Sequence, residues 1–212
     1  MTKSSKSKKS TPNQQEFNRY HLGCGTVFLK GWLNIGYWSH LENDGLFDID
    51  GAILLNHDLR FGIPAENSSL EAVYHSHLLE HLNYKDALNF IAEIYRVMKP
   101  GGLHRILVPD LEAFAKAYIE KKSILLDKYQ EHVLKDDIEI YQTPASIFMG
   151  MLHNHEHKWG WDWESLKWVL ERQGFKSIKR TLFQESDFHD IEQMEKYSPL
   201  RCAESLCVEC YK

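Results

Sequence analysis

The chain has no run approaching the roughly 18 apolar residues that a membrane-spanning helix requires. Its basic start leads into polar residues rather than an apolar segment, so no signal peptide is read there, and a cytoplasmic location is expected. Cysteine is sparse: Cys24, Cys202, Cys207 and Cys210 are the four, and without an export signal they are expected to stay reduced. Cys207-x-x-Cys210 is half of a zinc-ribbon pattern with no second half, and its neighbours Leu206, Val208 and Tyr211 read as a strand. Excess positive charge is also missing. Lys3, Lys6, Lys8 and Lys9 carry +4 in the first eleven residues, and a total of −5 leaves −9 for the rest. An acidic body of this kind argues against general nucleic-acid binding, which depends on neutralising phosphates. Internal repeats are absent.

What remains is an ordinary globular mixture, 43% hydrophobic and 26% charged over 212 residues, a length suited to one domain. Residues 1–15, rich in Ser, Lys, Asn and Gln, are expected to form a disordered basic leader, and residues 16–212 a single α/β domain. Strands are read over Phe17–Leu22, Gly31–Ile35, Ala52–Asp58, Leu70–Ser76 and Leu103–Val108, with 37–51 as a loop dense in Gly, Asn and Asp. Only Thr26–Lys30 separates the turn after the first strand from the second, too short for a full crossover helix. Helical spacing of Ala87, Leu88, Ile91, Ile94, Tyr95 and Met98 predicts a helix over Tyr84–Met98, with Asn83 as N-cap and Lys99-Pro100-Gly101-Gly102 as its stop. Strand, helix, glycine turn and strand in about forty residues make a βαβ unit. A mostly helical stretch follows over Leu111–Ile140, then an irregular one over Thr143–His157, and together the region of about 111–163 is expected to form an insertion on the substrate side. Glu164–Gln173 reads as a helix, and Phe175–Leu182 with Ser205–Tyr211 as a closing antiparallel pair.

The stretch with chemical potential is Leu22-Gly23-Cys24-Gly25, a Gly-x-Gly turn where the first strand ends. Glycine there tolerates positive φ and lets a ligand approach bare backbone. Asp58, His75-Ser76-His77 and Asp110 also fall at strand carboxyl ends, where open α/β sheets bind ligands. His77, His81 and Asp110 are the candidates for proton transfer, His77 first, because imidazole titrates near neutrality. His153, His155 and His157 alternate, but such spacing converges three ligands only in an extended segment, so no metal is assigned. His157 and Trp159 are instead read as substrate-lining.

Several pieces taken together resemble a family. His21-Leu22-Gly23-Cys24-Gly25, Gly31-Trp32-Leu33-Asn34-Ile35, His57-Asp58-Leu59-Arg60, Ser76-His77-Leu78-Leu79-Glu80-His81 and Arg96-Val97-Met98-Lys99-Pro100-Gly101-Gly102 look like the type 11 group of class I S-adenosylmethionine-dependent methyltransferases. His157-Lys158-Trp159 and Gln173-Gly174-Phe175 extend the likeness towards the end of the chain. The resemblance implies a Rossmann-like seven-stranded sheet, mostly parallel with one antiparallel strand. It also implies S-adenosyl-L-methionine as cofactor and a small-molecule or carrier-bound acceptor, a sugar or polysaccharide intermediate among the candidates. By that likeness Gly23, Cys24 and Gly25 wrap the methionine part, Asp58 and Leu59 meet the adenine, and the His75-Ser76 backbone borders the methionyl group. Gly36 departs from the pattern, standing where family members commonly carry a ribose-binding acid. Tyr37, or one of Glu42, Asp44, Asp48 and Asp50, is left to serve. Two other readings stay open: a non-catalytic binding protein that keeps the fold, and a nicotinamide-dependent oxidoreductase, which would want the Gly-x-Gly-x-x-Gly and ribose acid missing here.

Overall fold

A computed structural model describes residues 16–121 and 123–212, so the expected leader over 1–15 lies outside the described residues. Eight strands form one sheet: β1 (Arg19–Leu22), β2 (Leu33–Gly36), β3 (Gly45–Ile49), β4 (Ala52–Asn56), β5 (Leu70–Ser76), β6 (Met98–Pro109), β7 (Lys176–Thr181) and β8 (Ser205–Tyr211). Their order is β3-β4-β2-β1-β5-β6-β8-β7. From β4 to β6 all neighbours are parallel, while β8 runs antiparallel to both β6 and β7. These seven strands are the expected sheet with its one reversed strand. The eighth, β3, lies in the stretch expected as a loop and pairs antiparallel with β4 through Gly45↔Asn56 to Ile49↔Ala52. Asp48 closes that hairpin by accepting a hydrogen bond from Gly51 N at 2.7 Å.

One sheet face is covered by helices. α1 (Tyr84–Val97) starts where expected, its Asn83 side chain accepting from Asp86 N, and buries Ala87, Phe90, Ile91, Ile94 and Val97. It packs beside α5 (Trp163–Gln173) on Leu22, Ile35, Val73, Ile106 and Val208, which the two-residue alternation of β1, β2, β5, β6 and β8 points to that side. The opposite face has little helix. No helix joins β1 to β2, so Leu29 and Trp32 from that connection cover the face with Phe188, Ile191 and Met194 from the return between β7 and β8. Beneath them the fully buried Arg105 of β6 is held by Glu195 at 2.8 Å and 2.9 Å, by Thr181 Oγ1 at 2.6 Å and by the Glu185 carbonyl at 2.8 Å.

Beyond β6, α2 (Leu111–Glu120), α3 (Ile124–His132) and α4 (Pro144–His153) form a helical cluster with its own buried side chains, among them Phe114, Leu126, Tyr129 and Met151. The stretch expected as irregular is thus largely α4, begun by a reciprocal Thr143–Ser146 capping box and by Pro144 in its first turn. The remaining helices are short, α6 (Ile191–Met194) and α7 (Pro199–Glu204). Among the described residues, no helix is long and apolar enough to cross a membrane.

Candidate active site

The carboxyl ends of β1, β2, β4 and β5 converge on a cavity of about 330 Å³ whose wall includes Gly23, Gly36, Tyr37, Asp58, Leu59 and Leu78. Gly23 sits at φ +63°, and a Cβ there would fall 2.7 Å from Leu78 Cδ1, so both backbone and neighbour demand glycine. Asp58 starts the short 3-10 turn Leu59–Phe61, accepting from Arg60 N at 3.0 Å and pairing with the Arg60 guanidinium at 2.5 Å. The Arg60 hydrogen bond holds its carboxyl below the usual range, against a smaller opposing effect of burial. Cys24 and Gly25 do not line this cavity. Cys24 N instead donates to Ile35 O at 2.9 Å, tying the glycine turn to β2, and burial pushes its thiol up to about 12.

Gly36 is empty of side chain because Trp38 takes the space. A Cβ at 36 would lie 2.6 Å from two ring atoms of Trp38 and 3.1 Å from Cys24 Sγ. Of the substitutes for the ribose-binding acid, Tyr37 lines the cavity, half exposed, whereas Glu42, Asp44, Asp48 and Asp50 do not. Asp44 is engaged with His57 Nδ1 at 2.6 Å.

A second cavity of about 270 Å³ lies on the other side of Gly23, with Cys24, Ser76, His77, Glu195, Lys196 and Arg201 in its wall. His77 leaves β5 at φ +52°, a conformation that costs a non-glycine residue energy and is commonest at functional sites. Its ring is held between Ser205 Oγ, 3.1 Å from Nε2, and Glu80 Oε1, 3.3 Å from Nδ1. Ser76 faces the same cavity. The side chain of His75 does not: it is fully buried against Phe90 of α1, its Nε2 3.1 Å from His104 Nε2, and burial pushes it down to about 3. Only its backbone borders the strand end.

His81 and His157 come together, ring centroids 4.8 Å apart. Glu80 between them in the 3-10 turn Leu79–His81 is 1% exposed, and neither carboxylate oxygen has a hydrogen-bond partner. The net effect of its surroundings lowers the Glu80 pKa: burial, the largest single effect, raises it, but His77 together with the Glu80 backbone N–H and, least, His81 outweighs that. Trp159 packs on Tyr84 at 4.8 Å, at the start of α1, with 42% exposure. Asp110 is committed elsewhere. Its Oδ1 caps α2 by accepting from Glu112 N at 3.1 Å, and its Oδ2 takes Arg180 at 2.5 Å. Glu80 and Trp38 are the residues that sequence reasoning passed over. Glu80 was visible within Leu79-Glu80-His81, but nothing along the chain shows that it would be buried.

The residues of the first cavity fit a nucleoside cofactor. They offer bare backbone at Gly23 and Gly36, apolar walls from Leu59, Leu78, Leu82 and Phe90, and polar groups at Tyr37 and Asp58. Residues 21–106 match the family model described as a Methyltransferase domain. No curated protein matches the chain. Among solved structures, an S-adenosylmethionine-dependent methyltransferase from Archaeoglobus fulgidus superposes with a TM-score of 0.54 at 16% identity, over 93% of this chain and 87% of that one. One from Mesorhizobium loti gives 0.52 at 15% identity, over 92% and 90%. A possible histamine N-methyltransferase from Thermotoga maritima gives 0.52 at 15%, over 92% and 82%. Residues 21–106 are thus similar to a methyltransferase domain, whose implied cofactor is S-adenosylmethionine, and the strand order and superpositions give the chain the fold of class I S-adenosylmethionine-dependent methyltransferases.

Proposed function

We propose that the chain methylates a hydroxyl of a small-molecule or carrier-bound acceptor, with the cofactor in the Gly23–Tyr37–Asp58 cavity and the acceptor approaching under α2, α3 and α4. The observation that carries this reading is His77, fixed at positive φ on the wall of the cavity across Gly23, between a buried carboxylate and a hydroxyl. S-adenosylmethionine supplies an electrophilic methyl group on a sulfonium. Within that scheme, Gly23 admits the cofactor to bare backbone, and Tyr37 takes the ribose contact that Gly36 cannot make. Leu59, Leu78 and Phe90 wall the base, and the helical cluster excludes water. His77 takes up the acceptor proton at Nε2, while Glu80 beside Nδ1 orients the ring. His157 and Trp159 bound the acceptor side.

Calorimetric titration with S-adenosylmethionine and S-adenosylhomocysteine, with NADH as control, tests the reading. Micromolar binding of the first two, about −8 kcal/mol, is expected. Tyr37→Ala should weaken it, whereas His77→Gln should leave it intact and depress turnover. Silence for both sulfur compounds in folded protein would hand the fold to a non-catalytic binding role, and binding of NADH alone would point to redox chemistry.

A further inference from the structure

Glu80, which stands beside His77 Nδ1, also belongs to a second cluster that does not need the methyl-transfer reading. Glu80, His81 and His157 each offer a ligand atom, and these atoms lie within 4.8 Å of one another. We propose that they form a binding site for a divalent transition-metal ion of the zinc type.

Four observations support the site. Glu80 is buried with neither oxygen in a hydrogen bond, an arrangement that costs free energy unless a cation neutralises it, and its near basic neighbour, His77 Nδ1, stands 3.3 Å from a single oxygen, Oε1. His157 Nδ1 donates to the Met151 carbonyl at 2.6 Å, which places its proton on Nδ1 and leaves the Nε2 lone pair available. A ring nitrogen anchored on a backbone carbonyl is the usual outer support of a metal-ligating histidine. The loop carrying His157 is latched to the turn carrying the other two donors, because Lys158 N and Trp159 N both donate to the Glu80 carbonyl, at 2.7 Å and 3.2 Å. Finally, His155 at φ +53° and Glu156 at φ +63° are two successive left-handed residues, strain that the chain accepts to deliver His157 to this position.

Two imidazoles and one carboxylate suit zinc, and three protein donors leave a coordination position open, as in catalytic rather than structural sites. Tetrahedral bonds of about 2.0–2.1 Å set donors roughly 3.3 Å apart, so the widest pair must close by about 1.5 Å on binding. Two residues that alternate with His157 are not part of the site: His153 ends α4 and His155 is exposed.

The test uses the full chain, stripped with chelator and loaded with Co2+ or Zn2+. One equivalent should bind and give a visible cobalt spectrum without thiolate charge transfer. His157→Ala and Glu80→Gln should each weaken binding at least tenfold, with His153→Ala and His155→Ala unchanged. No stoichiometric binding, or binding insensitive to the first two variants and lost in the second two, overturns the proposal. If the first two variants fail to fold, X-ray absorption of the zinc-loaded parent decides. A shell of nitrogen and oxygen at about 2.0–2.1 Å with two imidazoles supports the site, and sulfur at about 2.3 Å refutes it. Cofactor titration of the metal-free protein keeps this result separate from that of the methyl-transfer reading.

Discussion

Placing an acid back at the tip of β2 should fail. Gly36→Asp introduces a Cβ 2.6 Å from the Trp38 ring, well inside contact distance. The backbone that carries Trp38 is not free to retreat, because Asn56 grips it from both sides, so only the indole torsions can relieve the contact. Trp38 N donates to Asn56 Oδ1 at 2.7 Å, and Asn56 Nδ2 donates to the carbonyls of Trp38, Leu41 and Glu42 at 3.2, 3.3 and 3.1 Å. Overpacking of this kind costs about 1–3 kcal/mol, and at about 2–4 °C per kcal/mol for a domain of this size the melting temperature should fall by about 2–12 °C. Gly36→Ala carries the same Cβ without the charge, so its loss should be similar, which separates crowding from electrostatics. Cofactor affinity, measured calorimetrically on both variants, should fall or stay level. The reasoning is refuted if Gly36→Asp keeps the parental melting temperature and binds S-adenosylmethionine more tightly; Trp38 would then be a movable occupant of a working ribose site.

Acid sensitivity should come in part from His21. Its ring nitrogen contacts Asn34 Oδ1 at 3.1 Å in the core, and burial holds its pKa down at about 4 against an unfolded value of 6.5. Between those values the unfolded chain binds the extra proton, so stability should be lost as pH falls from about 6.5 to about 4, by on the order of 3 kcal/mol, and flatten below. Urea unfolding of parent and His21→Gln across that range should show the gap between them narrowing, and a gap independent of pH would remove His21 from the account. Thiol reactivity offers a separate check. Burial raises Cys24 and Cys207 to about 12 and lifts Cys210 well above the usual thiol range, while Cys202 is exposed on α7. One equivalent of a thiol reagent should therefore react quickly at pH 8, and rapid reaction of two or more would contradict the burial.

The legibility of this fold in its sequence tracks how local each cause is. β5 and β8 end on the residues expected, and α1 ends within one, because alternation, helical spacing and an Asn83 cap are written in consecutive residues. β3 was hidden because its five residues, Gly45 to Ile49, sit among Asn and Asp, and their strand state is enforced by pairing with β4 rather than by propensity. α4 was hidden by Gly150 and by the polar Thr143–Ser146 pair, which is in fact its cap. The site divides in the same way. Gly23, Tyr37, Asp58, Leu59, Ser76 and His77 line the two cavities and were readable as strand ends. That Trp38 excludes a side chain at 36, that Asp110 is spent on a cap and an ion pair, and that His157 meets Glu80 across 77 positions are products of packing.

The position of β8 has a consequence for how the chain can be assembled. Residues 205–211 come last among the strands yet lie inside the sheet, hydrogen-bonded to β6 on one side and β7 on the other. Until they emerge during synthesis, β7 has no partner and β6 leaves its backbone edge from Leu103 to Pro109 unpaired. A nascent chain halted before residue 205 therefore presents two open strand edges at once, the kind of surface on which other chains nucleate aggregation. Insertion of this single strand closes both edges, making folding yield in a cell sensitive to pauses in translation before residues 205–211 have emerged.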